Sequence, residues 1–213
     1  MNWVFSDQAK AWARRQVTGQ GDIAANYSML SADEYAVYGP HIGRPQRILD
    51  LACGIGRVSA YLNSQLDYDA EFILADSTEG DPAHKPQYGF DDPTFYNDMA
   101  VTAEFCKANG VRNVRTVDVA IESLDIAIDT PDLIISMLGI GFHIPLETII
   151  DELWDISGPQ TKLIFGIGGI DDCPRWQTEH DYCDMFGLQV IEQFESRYRT
   201  HEGRIVILGE KRE

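Results

Sequence analysis

The sequence predicts an α/β fold: a doubly wound, mostly parallel sheet of seven strands with an antiparallel C-terminal hairpin strand, preceded by an N-terminal helical cap. Three observations predict it. From residue 47 short apolar runs alternate with stretches of helical periodicity; near the C-terminus two strand-like runs follow each other with only a few residues between them; and residues 1–45 stand outside the alternation. With 213 residues the chain has the length of one domain, divided on this reading into a cap over 1–45 and a core over 46–213.

The cap opens on an amphipathic stretch carrying Phe5, Ala9 and Trp12 and runs through a tyrosine-bearing segment, Tyr27, Tyr35 and Tyr38, to GPHIGRP. RILDLA (47–52) is the first strand, a short apolar run that ends in glycine-rich sequence. Behind it Ile55, Val58, Leu62 and Leu66 recur at helical spacing, and AEFILAD (70–76) is the second strand. The stretch 94–109 carries Phe95, Met99, Thr102 and Cys106 on one helical stripe and stops at Asn109-Gly110. VRNVRTVD (111–118) and DLIISML (132–138) are the third and fourth strands. Pro145 opens a helix as a first-turn residue, with Leu146, Ile149, Ile150 and Leu153 inward. KLIFGIG (162–168) is the fifth strand, and 174–186 is a helix between Pro174 and Gly187. LQVIEQFESRY (188–198) and RIVILGEK (204–211) lie too close for a parallel crossover, which takes about a dozen residues, so these two strands pair antiparallel.

Composition excludes several function classes. The 34 acidic against 17 basic residues give a net charge of −17, which opposes nucleic acid or an anionic membrane surface as a partner. The four cysteines form no CxxC pair and no disulfide framework. His180 and Cys183, near Cys173, read as a helix with a buried thiol rather than a metal site. The N-terminus has no basic segment followed by an apolar run, and no apolar run approaches the roughly 18 residues of a membrane span. The expectation is a soluble, cytoplasmic protein with a small-molecule partner; nothing in the sequence fixes its oligomeric state.

In doubly wound sheets ligands bind outside the carboxyl ends of the strands, so the residues ending each strand carry the chemistry. The first strand ends Asp50-Leu51-Ala52-Cys53-Gly54-Ile55-Gly56-Arg57. Small residues at 52, 54 and 56 let backbone approach a ligand closely, and the following helix presents its N-terminal N–H groups. Asp76 ends the second strand 20 residues beyond Gly56, where a carboxylate accepts both hydroxyls of a ribose. Asp118 ends the third strand, placed to accept from the exocyclic amine of a base. NAD(P) and S-adenosylmethionine (SAM) both satisfy this pattern. The dinucleotide fingerprint G-x-G-x-x-G fails, because its third glycine falls on Ser59 counted from Gly54 and on Arg57 counted from Ala52. Asp50 before the turn would also repel a pyrophosphate and suits an ammonium or sulfonium instead.

ILDLACGIGRVSAYL (48–62) resembles motif I of the class I SAM-dependent methyltransferases, an acid followed by glycine or alanine at alternate positions. Asp76 matches the family's ribose-binding acid, Asp118-Val119 its adenine-contacting pair, and the terminal hairpin its sixth and seventh strands; Ala52 stands where glycine is commonest. The resemblance covers 46–213. It implies SAM as cofactor and S-adenosylhomocysteine as product. It further implies that Asp50, Ala52, Cys53, Gly54, Gly56 and Arg57 lie at the methionine end, Asp76 and Ser77 at the ribose, Asp118 and Val119 at the adenine, and Met137 beside them.

The residues after the fourth strand face the methyl group in this family; here they read SMLGIGFHIP (136–145), without the Asn-Pro-Pro-Tyr or Asp-Pro-Pro-Tyr of enzymes that methylate amines of bases or glutamine. His143 lies at the mouth of the sheet, and its ordinary pKa of about 6.5 suits proton removal near neutrality. Its competing role is helix capping or packing. GFHIP is similar to a segment of sugar O-methyltransferases, which makes a hydroxyl of a sugar-like or secondary-metabolite molecule the expected acceptor and His143 the expected general base. Tyr27 and Tyr38, with His143, are candidates to contact that acceptor, and the long 77–93 loop could wall its pocket. Asp171 and Asp172 supply at most half of a magnesium site, so no metal is expected. N-methylation, another use of SAM, and a catalytically silent SAM-binding module are the alternatives.

Overall fold

The computed structural model describes residues 1–16, 21–78, 98–137, 139, 149–168, 190–195 and 203–208. In chain order the elements are α1 (Asp7–Gln16), α2 (Ile23–Tyr38), a 3-10 turn (Gly39–His41), β1 (Arg47–Leu51), α3 (Arg57–Gln65), β2 (Glu71–Asp76), α4 (Met99–Ala108), β3 (Asn113–Asp118), α5 (Leu124–Ala127), β4 (Leu133–Met137), α6 (Ile150–Ile156), β5 (Lys162–Gly168), β6 (Val190–Glu195) and β7 (Gly203–Leu208). The strands form one sheet in the order β3-β2-β1-β4-β5-β7-β6. The first five run parallel, as the alternation of strands and helices predicts. β7 runs antiparallel between β5 and β6. The order reverses at β1 and β4, and the ends of these two strands flank the switch point where ligands bind.

Because strand side chains alternate, the sheet presents two apolar faces. Ile48, Phe72, Leu74, Leu133, Ile135 and Ile164 point to the face covered by α1–α4. Leu49, Leu51, Ile73, Val117, Ile134, Leu163 and Phe165 point to the face covered by α5 and α6. The N-terminal helices share the first core: Ala9 and Ala13 of α1 and Tyr27, Leu30, Val37 and Tyr38 of α2 are buried in it. Trp3 stacks on Phe105 at 6.0 Å, and the Asn109 side chain pairs with both backbone groups of Val4 at 2.9 Å. No helix among the described residues is long and apolar enough to cross a membrane.

β2 and β3 start at Glu71 and Asn113 rather than Ala70 and Val111, and two further boundaries differ from expectation for local reasons. β1 stops at Leu51 because Ala52 takes a left-handed φ of 54°. α4 starts at Met99 because Asp98 caps it, its carboxylate accepting from Ala100 N at 2.8 Å; residues 94–97 lie outside the described residues. Also outside them are the helix expected at 174–186, the start at Pro145, most of the 77–93 loop, His143, Asp171, Asp172, Cys173, His180 and Cys183.

Candidate functional site at the carboxyl edge of the sheet

The glycine-rich turn between β1 and α3 folds as it does for two local reasons. Ala52, Gly54 and Gly56 all lie at positive φ (54°, 57° and 82°), so the chain reverses from strand to helix within a few residues. A Cβ on Gly56 would lie 2.3 Å from Cys106 Sγ, so glycine is required there by α4 packed behind the turn. Ala52 alone of the three carries a side chain in the left-handed region, at a cost of about 1 kcal/mol.

Side chains from three elements fix the turn. Asp76 Oδ2 accepts from Gly54 N at 2.7 Å, which ties the end of β2 to the turn. Thr102 of α4 donates to Gly54 O at 2.8 Å. Gly56, the N-cap of α3, offers no side chain to the helix, and Asp50 fulfils that task from within β1: its Oδ2 accepts from Ser59 N at 3.2 Å and Ser59 Oγ at 2.6 Å. Asp50 is only 1% exposed. Burial pushes its carboxyl up to about 7, against the opposing pull of the Ser59 hydrogen bonds and of Arg57. The structure thus turns Asp50 inward to hold the start of α3.

The sequence-named residues separate into three groups. Ala52, Asp76 and Val119 come together around a cavity of roughly 400 Å³, with Leu51, Ala75, Ile121, Leu124 and Glu152 completing its wall. Asp76 and Asp118 stand side by side in the β2–β3 register. Ser77 N donates to Asp76 Oδ1 at 2.8 Å, and Val119 N donates to Asp76 O at 3.0 Å. Asp118 braces the rim, its carboxylate accepting from Ala120 N at 3.0 Å. Among the described lining residues the charges are all acidic, an environment that favours hydroxyl and cationic donors over phosphates.

A second group supports the turn from behind. Cys53 is buried, and its thiol is pushed well up by burial and then by Asp76 and Asp50, so it is no thiolate nucleophile near neutrality. Arg57 is drawn away from the cavity into a buried contact with Glu34 and Ser31 of α2. Met137 ends β4 buried, and just beyond it Gly139 lies directly on the turn, where a Cβ would stand 2.4 Å from that of Ala52.

A third group lies elsewhere. Tyr27 and Tyr38, expected to contact the acceptor, are 0% and 1% exposed in the α2 core. Tyr27 packs edge-on against Trp3 at 5.3 Å and Tyr38 against Tyr35 of the same helix at 5.4 Å, and both rings are buried in the core that the N-terminal helices share with the sheet. Sequence reasoning passed over Glu34, Ser59 and Ile121. Glu34 carried no distinguishing signal, since Asp33 precedes it in a helix that also holds Asn26, Ser28 and Ser31.

No family model matches the sequence, and no curated protein matches it. Solved structures do match. The chain superposes on magnesium protoporphyrin IX methyltransferase from Synechocystis PCC 6803, solved with bound SAM, over 99% of this chain and 100% of that one, with TM-score 0.57 at 14% identity. The fold is that of the Rossmann-like methyltransferases. A SAM-dependent methyltransferase from Aquifex aeolicus matches over 85% of this chain and 92% of that one (TM-score 0.59, 17% identity). SAM-bound fibrillarin from Aeropyrum pernix matches over 85% and 74% (TM-score 0.59, 9% identity). At these identities the likeness is one of fold.

Proposed function

We propose that this protein is a SAM-dependent methyltransferase that moves a methyl group to a hydroxyl of a small, sugar-like or secondary-metabolite acceptor. The observation that carries the cofactor reading is the hydrogen bond of 2.7 Å between Asp76 and Gly54 N, which holds a ribose-type carboxylate against a left-handed glycine turn at the edge of a 400 Å³ cavity. The chemistry of the cavity fits SAM better than a dinucleotide. Its described charges are acidic, and Arg57, the cation nearest the turn in sequence, is neutralised by Glu34. A pyrophosphate would meet carboxylates there, whereas ribose hydroxyls and a sulfonium would be stabilised by them.

On this reading Asp76, with Ser77 beside it, accepts from the ribose. Val119 and Ile121 cover the adenine, and Asp118 holds the rim on which they sit. The backbone of 52–56, kept in place by Asp50 and Thr102, borders the methionine end. The seven-stranded order with antiparallel β7, and α1–α2 as a cap, belong to the same reading of the fold. SAM when bound supplies an electrophilic methyl on a sulfonium. The chain's own work is alignment, exclusion of water and proton removal. His143, six residues beyond Met137 in a segment whose Gly139 packs on the turn, is proposed to take the acceptor's hydroxyl proton as oxygen attacks.

Calorimetric titration with S-adenosylhomocysteine, beside NAD, tests the cofactor. Wild-type protein should bind the homocysteine compound in the micromolar range. Asp76→Ala, which removes two or more hydrogen bonds to a charged group at about 1.5–3 kcal/mol each, should bind at least about 100-fold more weakly. Absence of binding, or preference for NAD, would refute the proposal. His143→Ala should bind the same compound normally and lose methyl transfer to hydroxyl acceptors; undiminished turnover would exclude it as the base.

A further inference from the structure

The deepest ionic contact described joins α2 to the first residue of α3. Arg57 Nη1 lies 2.8 Å from Glu34 Oε2, Nη2 donates to Oε1 at 3.0 Å, and Nη1 also reaches Ser31 Oγ at 3.0 Å. Both charged side chains are 6% exposed. The guanidinium thus combines one hydrogen bond to the carboxylate, one to Ser31 and a close ionic contact to Glu34 Oε2, and contacts from two of its nitrogens fix distance and orientation together.

Stability alone is a poor explanation for this pair. Taking two charges out of water costs several kcal/mol per ion, and apolar side chains of similar volume would join the helices as well or better. The guanidinium also belongs to the first helical residue after Gly56, at the positive end of the α3 dipole, where a cation is disfavoured. What the pair does define is the place of residue 57, and residue 57 is where the turn of 52–56 ends. Thr102 and Cys106 hold that turn from the α4 side, and Asp76 holds it from β2. On the α2 side Arg57 reaches across to Glu34.

We infer that Glu34 and Arg57 are positioning residues for the cofactor site: through their buried pair, α2 sets the geometry in which the 52–56 turn meets its ligand. The inference rests on the SAM reading above. Neither residue lines the cavity. The coupling is reciprocal, so a ligand that needs the set turn must in turn stabilise α2.

Two measurements with S-adenosylhomocysteine test this on the full chain. In wild-type protein, amide hydrogen exchange should slow on ligand binding in residues 23–38 as well as in 52–60. Unchanged exchange over 23–38 in protein that binds the compound would overturn the inference and leave the SAM reading intact. No binding by wild-type protein would overturn the SAM reading itself, and the inference with it. The double variant Glu34→Leu/Arg57→Met replaces the pair by apolar groups of similar bulk and should melt within a few degrees of wild type while binding at least tenfold more weakly. Equal affinity in the folded double variant would assign the pair a purely structural role. Arg57→Lys keeps the charge without the planar guanidinium; intermediate affinity at unchanged Tm is expected, and wild-type affinity would count against positioning. If the double variant does not fold, the exchange measurement and Arg57→Lys decide the matter.

Discussion

The two faces of the sheet are built differently. Behind β1 and β2, α1–α4 bury an aromatic cluster around Trp3, Tyr27 and Phe105 together with the polar groups Ser31, Glu34, Asp50, Arg57, Ser59 and Thr102. Among the described residues the opposite face is covered by α5 (four residues) and α6 (seven residues), over a core dominated by aliphatic side chains. The cavity described above lies on that side, at the carboxyl edge. One face holds the turn still while the other provides the space. Rigid support behind an open site is what a reaction limited by alignment requires.

Substitutions should respond to this contrast. The largest effect is expected on the packed face. Glu34→Ala leaves the Arg57 guanidinium buried without its carboxylate, and the fold should lose about 3–5 kcal/mol in chemical denaturation. A loss under about 1 kcal/mol would mean that α2 is held by its apolar side chains alone.

A smaller effect is expected from Asp50. Its folded pKa of about 7 lies above the ordinary value of 3.8, so the folded state binds the proton more tightly than the unfolded chain. The stability so contributed is complete at low pH and is lost as pH rises through about 7. Between pH 5 and pH 8 this group should lower stability by about 2–3 kcal/mol. Asp50→Asn should remove that part of the pH dependence; an unchanged slope would place the titration elsewhere. The smallest change in stability should come from the open face. Ile121 is 82% exposed, so Ile121→Ala should alter stability by under about 0.5 kcal/mol. It should nevertheless weaken S-adenosylhomocysteine binding about fivefold, roughly 1 kcal/mol of lost apolar cover. Unchanged affinity would remove Ile121 from the adenine site.

Much of this was legible in the chain. The parallel core, the turn and the placing of Asp76 and Asp118 follow from local signals: apolar period, glycine spacing and strand ends. The supporting shell was not legible. Ser59 is an unremarkable helix residue until β1 brings Asp50 beneath it, and Thr102 is one polar member of an apolar stripe until it meets Gly54 O. Arg57 next to a glycine-rich turn suggests ligand binding, yet Glu34, 23 residues earlier, claims it. Tyr27 and Tyr38 look like pocket aromatics because a sequence does not say which side of a helix is covered.

The sequence by itself determined the alternation of strands and helices through β5 and the strand ends beside the switch point, because these depend on neighbours within a few residues. Only the tertiary structure decided which polar groups face the cavity and which are consumed beneath it. That choice depends on contacts such as Glu34 with Arg57 and Val4 with Asn109, a pair 105 residues apart. Such contacts arise when helices dock on a sheet, and burial then favours pairing among the polar groups it encloses.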